Sequence, residues 1–198
     1  MKKKASRRKK AENKPACSWI KKDDGIIYFS ITTDGTTGPE WIKRLGRNGF
    51  EVSRGYAESV LCSPDFNPTS GVTYNVVIIP CRTLRESGYC TTAEAEAEAE
   101  RRGFVKPGAE IACLVREIVS IEDLKNMGFS SLKVMHEPIR GDEGKPSRLY
   151  MNRDTLGSDL KIKSDAKRWL HSCKSKPDNK WDRGYGFVFI VPQPNSDK

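Results

Sequence analysis

Two sets of side chains in this sequence have the types and spacing to do chemistry. The first is His136-Glu137, where a histidine adjoins a carboxylate, with Asp142 in the Gly/Pro-rich turn that follows. A strand ending before Pro138 would display these groups where general acid-base residues are commonly placed. Neighbouring strand residues face opposite ways, so His136 and Glu137 share a pocket only across a bulge. With Leu132 and Val134 turned inward, a hydrogen-bonded histidine at the edge of the core is the competing reading. The second set mixes cations and rings near the C-terminus: Arg148, Tyr150, Lys167, Arg168, Lys180, Trp181, Arg183 and Tyr185. Arginine and aromatic side chains together grip phosphate backbone and stacked bases.

A third feature acts through charge alone. Net charge is +9, distributed as +7 over residues 1–16, −3 over 17–139 and +5 over 140–183. The first segment holds Lys2, Lys3, Lys4, Arg7, Arg8, Lys9, Lys10 and Lys14 against Glu12, with no aromatic or branched aliphatic side chain. It cannot bury enough surface to offset the entropy of ordering, so the sequence predicts a disordered basic arm over 1–16. Such an arm attracts polyanions by counterion release, serves as a nuclear import signal, or merely keeps the chain dispersed.

Other constellations carry less. The six cysteines (Cys17, Cys62, Cys81, Cys90, Cys113, Cys173) show no C-x-x-C spacing, and no secretory signal precedes them. The reading is reduced thiols in a cytoplasm, with Cys62 and Cys113 as small buried hydrophobes and no metal or cofactor expected. Thr32 to Gly38 joins a strand to a helix, but it lacks the lysine of a P-loop, and Glu40 in the first helical turn repels an anion. His171 is read on the polar side of a helix. The sequence contains no H-E-x-x-H, no G-x-S-x-G and no dinucleotide fingerprint. Its longest aliphatic or aromatic run is five residues, Phe187–Val191, so no membrane partner is expected.

The elements that position these residues follow from periodicity. Ile26–Thr33 reads as a strand, Pro39–Leu45 and Tyr56–Leu61 as helices, and Val72–Ile79 as a central strand apolar on both faces. Thr91–Arg102, with its four Ala-Glu pairs, reads as a helix opened by a Thr91/Glu94 capping box and closed by Gly103; its like-charged i,i+4 glutamates call for cations, the arm being one source. Thereafter the pattern gives a strand (Ile111–Arg116), a helix (Ile121–Met127), strands at Leu132–Glu137 and Arg148–Asn152, a helix with Ala166, Trp169, Leu170 and Cys173 inward, and a last strand at Gly186–Val191. The class is α+β: a mixed sheet with helices on one face, its second half ferredoxin-like βαββαβ, or else one larger sheet that also takes in the N-terminal strands. Residues 17–198 read as a single domain with possible sub-units at 25–90 and 104–192.

Two resemblances can be set beside this. Arg183-Gly184-Tyr185-Gly186-Phe187-Val188-Phe189-Ile190 is similar to the RNP1 strand of RNA-recognition motifs at seven of eight positions, and Leu149-Tyr150-Met151 resembles the opening of RNP2. That likeness implies Tyr185 and Phe187 on one face as base-stacking rings. Only eight residues follow Ile190, however, too few for the helix and strand that follow RNP1, and a strand apolar on both faces is also plain core. Residues 25–191 resemble a family of uncharacterised bacterial proteins through Trp41-Ile42-Lys43-Arg44-Leu45, Ala109 to Glu117 and Met135-His136-Glu137-Pro138-Ile139. This second resemblance implies a single heritable unit and no activity.

The expectation is a small cytoplasmic protein that engages nucleic acid or a nucleoprotein assembly through the arm and the basic-aromatic surface. Two alternatives stay open: a small enzyme with an acid-base site at His136, Glu137 and Asp142, and a protein-interaction module whose Glu94–Glu100 helix docks a basic partner.

Overall fold

The computed structural model describes residues 17–141, 144–152 and 168–193. Their elements run β1 (Ile20–Lys21), β2 (Ile27–Asp34), α1 (Gly38–Arg47), β3 (Phe50–Val52), α2 (Ala57–Leu61), β4 (Ser70–Pro80), α3 (Cys81–Leu84), β5 (Cys90–Thr91), α4 (Thr92–Arg101), α5 (Glu110–Ile118), α6 (Ile121–Met127), β6 (Ser131–Val134), β7 (Ile139–Arg140), β8 (Pro146–Asn152), β9 (Arg168–Lys174), β10 (Lys180–Trp181) and β11 (Tyr185–Ile190). Nine strands make one mixed sheet in the order β1-β2-β4-β11-β6-β8-β9-β3, with β7 on β8, while β5 and β10 pair as a separate ribbon. The class is α+β.

Alternation along the strands divides the core in two. Ile27, Phe29, Ile31, Val76, Ile78, Val188 and Ile190 pack on one face with Trp41 and Leu45 of α1, Val60 and Leu61 of α2, Ile111–Val115 of α5 and Leu124 of α6. Val77, Ile79, Phe187 and Phe189 point the other way and meet Ala95 and Ala99 of α4 with Cys81 and Cys90. Helices therefore cover both faces, where the sequence had suggested one. β11 and the C-terminal half of β4 are buried on both sides, and each large apolar side chain there contributes about 1.5–3 kcal/mol of burial. Phe187, fully buried beneath α4, has no face to offer a base.

Two expected elements are corrected. Residues 111–116 are not a strand but the body of α5. A short apolar run does not distinguish a buried strand from a helix enclosed on all sides. Glu110 and Glu117, seven apart, fall on one side of a helix but on opposite faces of a strand. Glu110 accepts from the Thr69 N–H (2.9 Å) and hydroxyl (2.7 Å). Glu117 accepts from Arg44 of α1 through Nε (3.0 Å) and Nη2 (2.6 Å) and from Asn48 (2.7 Å). Residues 168–174 are a strand, not a helix: Leu170 enters the core while Trp169, His171 and Cys173 take the opposite face, a period of two. The remainder of that expected helix lies outside the described residues. With both changes the second half is not βαββαβ. β11 sits between β4 and β6 and joins the two expected sub-units in one sheet.

The cysteines also differ from expectation. Cys81 and Cys90 form a disulfide inside the second core, and Cys62 is exposed; Cys113 is buried as expected. The capping box at Thr91/Glu94 matches the sequence reading, as do Ser120 as the N-cap and Gly128 as the stop of α6; the structure adds Asp123 to Ser120 as a second capping box and gives Gly128 a left-handed backbone.

Packing is tightest where α1 starts. A methyl group on Gly38 would lie 1.7 Å from the carbonyl oxygen of Leu61 at the end of α2, and backbone on both sides prevents easy yielding. Gly38→Ala is expected to destabilise the fold by at least about 1–3 kcal/mol in urea unfolding; an unchanged midpoint would contradict this packing.

Candidate nucleic-acid interface

Beyond β11 the sheet continues through β6, β8 and β9, and here its second face is not lined with aliphatic side chains. In the observed register Lys133 lies across from Tyr150, and Tyr150 across from His171. The Tyr150 and His171 rings stack with centroids 5.4 Å apart and planes 24° apart; Trp169 stacks on the other side of His171 at 5.2 Å and 12°. Across β6, Trp181 of the β5–β10 ribbon tilts against Tyr185 of β11 at 5.0 Å. Thus five rings share this side of the sheet, each partly accessible to solvent.

The rings are uncharged at neutral pH. Burial pushes the Tyr150 hydroxyl up to about 12, with the neighbouring Cys173 and Tyr185 adding to it. Burial likewise raises Tyr185 and lowers His171. Beneath them lies Lys133, fully buried, its ammonium 3.8 Å from the centre of the Trp181 ring and donating to Cys173 Sγ at 3.2 Å. Removal from water lowers its pKa. Trp181 is held over Lys133 by its indole N–H bond to Thr92 Oγ1 (2.9 Å) and by pairing with Cys90 across the ribbon.

The expected site residues divide accordingly. Tyr150, Trp181 and Tyr185 are brought together, and Lys180 and Arg183 are exposed at the rim, interspersed with Asp178 and Asp182. Arg148 is on this face but buried, with Nε on the His136 carbonyl (2.7 Å) and Nη2 on Glu96 (2.7 Å), so its charge is already matched. Arg168 is not part of the surface: it turns to the helix-covered side, 4.2 Å from the centre of the Phe50 ring, and donates to the Asn48 carbonyl. Lys2, Lys3, Lys4, Arg7, Arg8, Lys9, Lys10, Lys167 and Asp142 lie outside the described residues. Sequence reading missed Trp169, His171, Lys133 and Cys173. The signal for three of them was the alternation Trp169, His171, Cys173 about Leu170, obscured because the same stretch also satisfies helical spacing.

The acid-base pair is not assembled. His136 is 1% exposed; its Nδ1–H donates to the Glu137 carbonyl at 2.6 Å, and its Nε2 accepts from the Leu149 N–H at 2.9 Å. Both nitrogens are committed to backbone. The Glu137 carboxylate points to solvent and meets Lys106 at 2.9 Å. An open hollow of about 450 Å³ runs past Glu137, Glu96, Glu100 and Lys106, and His136 does not line it. No cluster able to hold a metal ion occurs among the described residues. Three of the four glutamates of α4 find partners in the chain's own arginines: Glu94 with Arg85, Glu96 with Arg148, and Glu98 with Arg101 and Arg102, which pull it down to about 2. No helix among the described residues is long and apolar enough to cross a membrane.

Comparison with protein families, curated proteins and solved structures gives no match to this chain. The family resemblance over residues 25–191 therefore rests on its motifs alone.

Burial, with the nearby cations of Arg148 and Lys133, pushes His136 down to about 4 from its usual 6.5. A folded-state value below the unfolded one means that the unfolded chain takes up the proton first. The stability tied to neutral His136 is complete above about pH 6.5 and is lost as pH falls toward 4, at up to about 1.4 kcal/mol per pH unit. His136→Gln should remove that slope, so the difference between the two proteins' urea-unfolding free energies should change as pH falls from about 6.5 toward 4; parallel pH profiles would contradict the assignment.

Proposed function

We propose that this protein binds single-stranded nucleic acid, free or in a nucleoprotein assembly, on the aromatic face of β6, β8 and β9. The observation that carries the reading is the stack of Tyr150, His171 and Trp169, with Trp181 and Tyr185 beside it. Neutral rings on a sheet offer platforms to unpaired bases, each stacked base contributing about 1–3 kcal/mol. A duplex keeps its bases stacked on one another, so the rings favour single strands. Lys180 and Arg183 at the rim supply phosphate contacts, and the basic segment 1–16 supplies long-range attraction. The cellular setting in this reading is the cytoplasm, with the buried Cys81–Cys90 bridge shielded from soluble reductants. No cofactor is required.

The test is fluorescence anisotropy with labelled single-stranded RNA and DNA at low and moderate salt. Trp169→Ala and Tyr150→Ala should each weaken binding by about 5–150-fold at constant salt slope. Deleting residues 2–14 should flatten the slope by about 0.7 for each phosphate that the arm neutralises. Binding no tighter than that of an acidic control protein, or aromatic variants indistinguishable from the parent, would overturn the proposal.

A further inference from the structure

The four unbridged cysteines have different surroundings. Cys113 is completely enclosed, and burial beside Glu110 and Glu117 drives its thiol well above the usual range. Cys17 is half-buried, and desolvation with the nearby Asp123 charge pushes it up to about 11. Both are held as inert thiols. Cys62 is exposed. Cys173 differs from all three: it is partly accessible, and the buried ammonium of Lys133 donates to its sulfur at 3.2 Å.

Lys133 has few ways to satisfy its charge. Among the described residues no carboxylate lies within ion-pair distance of it; the cation rests on the Trp181 ring and on the Cys173 sulfur. A buried cation needs a counter-charge, and the thiol is the group in contact with it that can become an anion. The other groups facing the sulfur are the hydroxyls of Tyr150 and Tyr185, both kept protonated by burial, and the Arg148 carbonyl, to which the Cys173 thiol donates at 3.9 Å. The ammonium meets the sulfur on its buried side, and the outer side of the sulfur stays partly open.

We propose that Cys173 is the reactive thiol of this chain and a site of thiolation by low-molecular-weight disulfides, with Lys133 as the positioning residue that stabilises the sulfur anion. The Cys173 sulfur attacks one sulfur of R–S–S–R. A new Cys173–S–S–R bond forms as the reagent's S–S bond breaks, and the leaving R–S⁻ takes up the proton that Cys173 released. The Cys173 sulfur is oxidised and the leaving sulfur reduced, so no further oxidant is needed. The site does not depend on whether the face binds nucleic acid, and its test contains none.

The experiment incubates the full chain with oxidised glutathione and follows adducts at each cysteine by intact and peptide mass spectrometry. Cys173 should be modified at least about tenfold faster than Cys62, with Cys113 protected. Lys133→Met should bring Cys173 down to the Cys62 rate, while Lys133→Arg retains most of the difference. Protection of Cys113 in each variant reports that the core is intact. The comparison of Cys173 with Cys62 in the unaltered chain decides the matter even if Lys133→Met does not fold. Cys173 reacting no faster than Cys62, or a folded Lys133→Met protein with an unchanged Cys173 rate, would overturn the proposal.

Discussion

The two-residue alternation of β6, β8 and β9, locked in one register, is the constraint on which the rest of the molecule depends. Leu132 and Val134, Leu149 and Met151, and Leu170 must enter the core shared with α1, α2 and α5. Lys133, Tyr150, Trp169, His171 and Cys173 are then forced to the opposite face. A slip of one residue in any of these strands would exchange the two sets, placing an ammonium or a stacked ring among aliphatic side chains. The hydrophobic requirement of one face thus fixes the chemistry of the other.

That second face changes character along the sheet. Over β11 and the C-terminal half of β4 it is closed by α4 and the Cys81–Cys90 bridge and lined by Val77, Ile79, Phe187 and Phe189, while farther out Ser30, Thr32, Thr73 and Asn75 leave it polar and exposed. Past β11 the cover ends with the β5–β10 ribbon, whose Trp181 reaches over Lys133. The bridge, the ribbon pairing and the Thr92 bond hold Trp181; Trp181 and Cys173 hold the buried ammonium; and the ammonium underlies the row of rings. A cation–π contact in a desolvated setting contributes about 2 kcal/mol, which partly offsets the cost of taking the lysine out of water. The rings and the thiol are therefore parts of one supported surface.

Much of this was legible in the sequence. Helix starts written in short-range chemistry, such as Thr91 with Glu94 and Ser120 as an N-cap, could be placed because the donors and acceptors lie within one turn. So could β4 and β11, whose apolar runs are bounded by turn residues. The failures have a common cause: residues 111–116 and 168–174 satisfy both periods over a short window, and only tertiary partners decide between them. For α5 those partners are Arg44, Asn48 and Thr69, distant in sequence. For β9 they are the strands β8 and β3 on either side. A helical reading of β9 removes three of its side chains from the candidate surface and assigns Arg168 to a face it does not occupy. The fate of Arg148 was illegible for another reason: its pairing with Glu96 spans 52 positions.

The most direct measurement is a nitrogen–proton NMR titration of the full chain with a short single-stranded oligonucleotide, read at the four tryptophan indoles. Trp169 and Trp181 lie on the aromatic face, whereas Trp41 is in the helix-covered core and Trp19 bonds Asp123 on that same side. The account predicts saturable shifts of the Trp169 and Trp181 indole signals with Trp41 and Trp19 unmoved. Shifts at Trp19 or Trp41 with Trp169 and Trp181 silent would contradict it.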